Sequence, residues 1–192
     1  LEHTPAFVHA GPFANIAHGN SSIVADRIAL RLADYVVTES GFGADMGFEK
    51  FLDIKCRASG LKPDAVVMVA TVRALKMHSG EFRIVPGKPL PPGLVEKNLA
   101  VLERGICNLE THIANVRKTG LPVVVAINRF DTDHPEEHEF IRQRAMAAGA
   151  AGAAISELWA KGGEGGRELA DLVAAATATP HDCRFYYELN QP

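Results

Sequence analysis

Apolar positions along the chain alternate between two patterns. Five short β-prone runs occur at Ala6–His9, Tyr35–Thr38, Ala65–Ala70, Val123–Ile127 and, more weakly, Ala153–Ile155. Between and after them apolar residues step by three or four, the spacing of one helix face. Ser21 and Ser22 offer an N-cap for a helix over Ile23–Leu32, with Val24, Ile28 and Leu32 on one side. Phe48, Phe51, Leu52 and Cys56 form a stripe over Phe48–Ala58 that Gly60 ends. The longest pattern, Leu94–Lys118, carries Leu99, Leu102, Ile106, Leu109, Ile113 and Val116, and Gly120 caps it. Pro135–Ala148 opens on a residue suited to the first helical position and closes at Gly149, and Gly166–Ala178 stops before Pro180. Five alternations of strand and helix predict a single α/β domain, 1–192, on a mostly parallel sheet with right-handed crossovers and flanking helices. Arg184–Leu189 has the makings of one more strand.

The valine-rich run Ala65–Ala70 reads as a strand buried on both faces, at the middle of such a sheet. Thr71, Arg73, Lys76 and His78 follow at once, a polar cluster expected in a short loop at the strand's carboxyl end. Ligands of open α/β sheets bind outside those ends. Cations there would stabilise phosphoryl or carboxylate charge, which makes Arg73 and Lys76 catalytic candidates. Residues 81–93 hold Pro86, Pro89, Pro91, Pro92, Gly87 and Gly93, a loop excursion that is either a lid or a surface loop.

Composition narrows the function classes. A formal charge of −3 gives no basic field for nucleic acid, and no apolar run approaches the roughly 20 residues that span a bilayer. Cys56, Cys107 and Cys183 are far apart and form no CxxC, which fits reduced thiols and a cytoplasmic protein with small-molecule substrates. The opening Leu1-Glu2-His3-Thr4-Pro5 has no signal-peptide character and runs straight into the first β-prone run, as if cut from a longer chain.

Several connections carry candidate chemistry. In the loop Gly11–Ser22, Asn15, His18, Asn20 and the amides entering the next helix can hold an anion, or simply cap a turn. Glu39–Gly47 contains G-x-G-x-x-x-G, one position late for a dinucleotide fingerprint and without an acidic partner after the next strand, which disfavours a nicotinamide enzyme. Its glycines still permit close backbone approach to a ligand, and Glu39 and Asp45 can orient one or bind a cation. Asn128 and Asp131, after the fourth run, resemble the base-reading loop of P-loop GTPases. No G-x-x-x-x-G-K-[ST] occurs in the 192 residues, so the phosphate cradle is missing. His134–His138 matches H-x-x-E-H, but Pro135 as first helical residue leaves His134 outside the helix, so no metal site is expected. Trp159, the sole tryptophan, stands before a glycine-rich stretch. Either it covers a core edge, or it stacks on a flat heterocycle with Phe130 facing it across a slot.

These residues together resemble a known family. Val69–Gly80, VATVRALKMHSG, is similar to a signature of the formate–tetrahydrofolate ligases. The likeness extends through Thr4–Ser22, Val36–Arg57, Val123–Asp133 and Ser156–Gly166. Ser79 stands where the signature usually has glycine, which leaves that turn's conformation open. The resemblance implies ATP-dependent formylation of tetrahydrofolate to 10-formyltetrahydrofolate through formyl phosphate, with Mg2+ and a monovalent cation. It also implies a homo-oligomeric full-length parent and a P-loop-NTPase-like fold of the dethiobiotin-synthetase type. This chain would be a portion without the P-loop, inactive alone. Phe130 and Trp159 would sandwich the pterin, Ile155 would line the slot, and Glu39, Gly43, Ala44 and Asp45 would wall the meeting place of folate and formyl phosphate. The alternative reading is a non-catalytic folate- or nucleotide-binding α/β module.

Overall fold

The computed structural model describes residues 2–8 and 20–190. The chain divides into two compact units, His3–Pro63 with Cys183–Pro192, and Asp64–Asp182 with Leu1–Glu2.

In the first of these, the two β-prone runs expected to be strands are not. Residues 6–8 and 35–38 carry no strand, and His9 lies outside the described residues. Val8 and Val37 are 94% and 89% exposed, and among the described residues the region's one ladder contact is an isolated antiparallel bridge between Asn20 and Ser40. A β-prone run becomes a strand only against a ladder partner and a surface to bury, and among the described residues each valine has neither. The segment 184–189 likewise forms no strand. Helix α1 (Ile23–Ala29) starts where expected, the Ser22 hydroxyl accepting the Ala25 N–H at 3.1 Å, but stops three residues early and has no buried residue. Residues 44–59 are helical throughout, π-wound over Ala44–Phe48 and Phe51–Cys56 and finishing as α2 (Arg57–Ser59). Phe48, Leu52 and Cys56 are its buried stripe, and Gly60 ends it at φ +73°. Lys55 is buried against Asp26 (2.5 Å). Arg57 lies over the rings of Phe185 (3.9 Å) and Tyr187 (4.9 Å) and donates to the Tyr187 carbonyl, which ties the last residues to the helix.

The second unit holds a parallel sheet of three strands, in order β1 (Val66–Ala70), β2 (Val123–Asn128) and β3 (Gly152–Ser156). Five strands were expected, so the described sheet is smaller than the sequence suggested. Its centre is β2, whose Val123 to Ile127 are all buried, as a strand covered on both faces requires. The run Ala65–Ala70 is instead at one edge of the sheet formed by the described residues, with Val67 and Val69 exposed on one face.

Helix α3 (Val72–Met77) begins directly after β1, where a loop was expected. Thr71 is its N-cap, the hydroxyl accepting the Ala74 N–H at 3.1 Å. Residues 81–91 are free of helix and strand, as their prolines require. The long pattern Leu94–Lys118 is three helices, α4 (Pro92–Val95), α5 (Leu99–Gly105) and α6 (Cys107–Arg117). The break has a local cause: Glu96 is extended, and the Asn98 side chain caps a new helix by accepting the Val101 N–H at 3.1 Å. Helix α7 (Pro135–Ala147) then leads into β3, and α8 (Leu158–Lys161), a 3-10 turn over Gly162–Gly166 and α9 (Arg167–Thr177) complete the unit.

Helices α6 and α7 pack on the sheet, as does α9, which reaches β2 and β3. Gly152 lacks a Cβ where the α9 side chain Leu172 presses in; Gly152 shares its sheet face with Val67, which α9 leaves uncovered at the edge.

Candidate functional site at the strand ends

The last residues of the neighbouring strands β2 and β3, Asn128 and Ser156, are ladder partners, so the chain leaves the two side by side. The Arg129 N–H continues the ladder by one bond to the Ser156 carbonyl (3.1 Å). Phe130 comes next, half-exposed, in a turn fixed from both directions. Its carbonyl accepts the Asp133 N–H at 3.0 Å, and its own N–H donates to Asp133 Oδ2 at 3.0 Å. The same carboxylate oxygen accepts from His138 Nε2 at 3.1 Å, with both side chains buried. Helix α7 thereby holds the loop that carries Phe130.

The β3 exit is held by charge. Glu157 pairs with Arg129 across the two exits and with Lys161 (2.6 Å) one helical turn on. The Lys161 hydrogen bond is the larger cause that keeps this carboxyl below its usual range. The Glu157 N–H donates to the Gly165 carbonyl at 2.9 Å, and a Cβ on Gly165 would run into the Glu157 carbonyl, so this close return needs glycine. Trp159 stands on the α8 turn between these anchors, 98% exposed. It does not cover a core edge. Ile155 is the one exposed residue of β3.

Arg73 and Lys76 separate. The Arg73 guanidinium lies 3.9 Å from the centre of the Phe130 ring, a cation–π contact from the first turn of α3. Lys76 stands on a helix, not in a loop; it is 1% exposed, and its ammonium is 2.7 Å from Glu137 Oε1 and 2.7 Å from the Glu96 carbonyl. Val72, Leu75 and Lys76 share the inward face of α3, which carries the lysine inside with its neighbours. Ser79 is accommodated, because the positive φ of that turn falls on Gly80 (+78°).

Asn128 is half-buried at the end of β2, and Asp131 is exposed in the turn beyond it. His134 precedes α7 and His138 engages Asp133, so the H-x-x-E-H histidines do not share a site. In the other unit, Glu39, Gly43 and Asp45 are exposed and Ala44 is half-buried. Gly43 is the N-cap of the π-wound turn that Ala44 and Asp45 begin, and Phe42 beside it is held at φ +66°. Asn15 and His18 lie outside the described residues. Among the described residues no three His, Cys, Asp or Glu side chains converge on a common point. Nor is any described helix long and apolar enough to cross a membrane. Sequence reasoning gave no role to Asp133, His138 or Glu157. An aspartate three residues after Phe130, in a segment leaving a strand, was the available signal for the first.

A parallel sheet flanked by helices, with aromatic and charged groups held where two neighbouring strands end, defines an α/β protein, a class whose ligands bind outside the carboxyl ends of the strands. The model of the formate–tetrahydrofolate ligase family matches residues 1–192, and the chain belongs to that family. It is 55% identical over 192 residues to the formate–tetrahydrofolate ligase of Herpetosiphon aurantiacus, covering 100% of this chain and 34% of that protein. The Dehalococcoides mccartyi ligase is 56% identical over 192 residues (100% and 32%), and that of a Roseiflexus species is 60% identical over 180 (94% and 32%). The chain thus spans about a third of the length of the curated relatives it matches.

Proposed function

We propose that this chain supplies the pterin slot of an ATP-dependent ligase that joins formate to tetrahydrofolate, giving 10-formyltetrahydrofolate by way of formyl phosphate. The sheet unit is read as a portion of a P-loop-NTPase-like fold of the dethiobiotin-synthetase type. The observation that carries the slot is the pairing of Asn128 with Ser156, which sends Phe130 and Trp159 out on adjacent connections at one end of the sheet. An indole that is 98% exposed and a half-exposed phenyl leave ring surface available to a planar pteridine. Ile155, exposed on β3, supplies apolar floor. In the other unit, Glu39, Gly43, Ala44 and Asp45 are proposed as ligand contacts on the family likeness.

Ligase chemistry needs a phosphate cradle, and the 192 residues contain no G-x-x-x-x-G-K-[ST]. The chain alone is therefore expected to release no formyltetrahydrofolate from ATP, formate and tetrahydrofolate, and production above the protein-free rate would refute this. Binding is tested by titrating tetrahydrofolate while following Trp159 emission, with Trp159→Phe as the control for absorption by the ligand. Saturable quenching that the control lacks is expected; no quenching would overturn the slot.

A further inference from the structure

We infer that Arg73 is a positioning residue for the pterin slot, backing the Phe130 ring from the side away from the ligand. The inference rests on the slot proposed above and adds a member to it.

Sheet order decides the direction of approach. Phe130 leaves the central strand β2, with β1 on one flank and β3 on the other. Arg73 stands on α3, which starts immediately after β1, and Trp159 stands on α8, which starts after β3. The two residues therefore stand on opposite flanks of Phe130's connection. With the guanidinium 3.9 Å from the ring centre on the β1 flank, the ring surface toward β3 and Trp159 is the one left for a planar guest. The order of layers becomes guanidinium, phenyl, pteridine, indole.

The contact also supplies what the backbone cannot. Asp133 fixes the main chain of Phe130 from both directions but leaves the ring free to turn about its own side-chain bonds. A flat cation over one face removes that freedom. Arginine suits the task because its guanidinium stacks, whereas a lysine ammonium is a compact, strongly hydrated point charge. Arg73 is half-buried, and its foothold in the first turn of α3 is set by the Thr71 cap.

The test uses the 192-residue chain with 4-fluorophenylalanine at position 130, comparing Arg73 with Arg73→Lys and Arg73→Met. In the absence of ligand, the fluorine resonance is expected to shift and broaden in Arg73→Met, with Arg73→Lys restoring it only in part and the far-ultraviolet circular dichroism unchanged. The tetrahydrofolate dissociation constant, read from Trp159 quenching, is expected to rise about two- to fivefold in Arg73→Met, the span of an exposed to partly buried cation–π contact. An unchanged fluorine resonance in Arg73→Met, with quenching intact, would overturn the positioning role and leave the slot standing. Tighter tetrahydrofolate binding by Arg73→Met would overturn it too, by showing the guanidinium in the ligand's own place. Failure of the Arg73 chain to bind tetrahydrofolate would overturn the slot, and the positioning role with it, even if the fluorine signal responds. Loss of dichroism in Arg73→Met alongside normal behaviour of Arg73→Lys would mark Arg73 as structural and equally overturn the role.

Discussion

Replacing Lys76 by methionine removes one charge from a pair with no access to water. Lys76 is 1% exposed and Glu137 0%, 2.7 Å apart. The lysine also donates to the Glu96 carbonyl at 2.7 Å, and Glu137 Oε1 also accepts the Asn98 N–H at 2.8 Å. One ion pair thus joins α3, the break between α4 and α5, and the first turn of α7. Glu137 Oε2 has no hydrogen-bond partner among the described residues. Methionine would leave a buried carboxylate with one amide donor, and breaking a buried pair in this way costs about 3–5 kcal/mol. A domain holds roughly 5–15 kcal/mol in total, so this is a large share. With a urea slope of about 2 kcal/mol per M, the midpoint should fall by roughly 1.5–2.5 M. Lys76→Met/Glu137→Gln removes both charges while the new side-chain amide oxygen still accepts the Asn98 N–H, and it should regain about half of the loss. Urea unfolding of the three proteins, followed by circular dichroism, checks this. A loss below about 1 kcal/mol in Lys76→Met, or no recovery in the double variant, would refute the reasoning. The same variant, placed in a full-length relative, separates structure from chemistry: a folded, fully stable enzyme without turnover would return Lys76 to the catalytic candidates.

Gly105→Ala tests the closeness of α3 and α5, because the added methyl would run into the Leu75 carbonyl. A loss of about 1–3 kcal/mol is expected in spite of alanine's better helix propensity, and a gain in stability would show that the helices are not that tight. Asp133→Ala takes the acceptor from both the Phe130 N–H and His138, at a cost of about 1–3 kcal/mol, whereas Asp133→Asn keeps one carbonyl oxygen for the amide and should cost less; equal thermal denaturation of the two would refute the capping role. Burial, with the Cys183 thiol beside it as the next cause, pushes the Cys56 thiol from 9.0 up to about 12. The folded state therefore keeps a proton that the unfolded chain gives up first, so this contribution is complete below about pH 9 and fades as pH rises toward 12. Urea midpoints at pH 7, 9 and 10.5 should decline over the last interval, less so in Cys56→Ala, and a flat profile would refute the burial argument.

Elements with a complete local signal were legible. The five apolar residues of β2, the Pro135 start and Gly149 stop of α7, and the Arg167–Thr177 helix all lie within a residue or so of where the pattern put them. Residues whose state depends on distant partners were not. Val37 is as β-prone as Val125, yet only Val125 has strands on both sides. Lys76 was misplaced for a related reason. Its polarity suggested a loop, but in V-R-A-L-K it sits at the i+4 position from Val72, on the buried stripe, and the partner that makes burial tolerable is 61 positions further on. Arg73, one residue past Val72, turns off that stripe and stays with the site.

Exposure alone would not single out the proposed slot. Val67 and Val69 are also exposed, on a strand at one edge of the described sheet. What sets Phe130 and Trp159 apart is the polar framework behind them. Phe130 is fixed by Asp133, and Asp133 in turn by His138; Trp159 rides on a turn bracketed by Glu157, which answers to Arg129 and Lys161, and by the Gly165 return. Among the described residues no comparable set of side-chain hydrogen bonds stands behind the β1 valines, whose backbone is held by the ladder. Ordering side chains against the loss of rotamer freedom is worthwhile where the ordered groups must meet a rigid guest, since affinity rises as that cost is met before binding. In the proposed slot, an exposed indole and the open face of the Phe130 ring stand on connections held in this way, as a planar heterocycle needs, whereas exposed valines on a sheet edge need only a neighbouring surface.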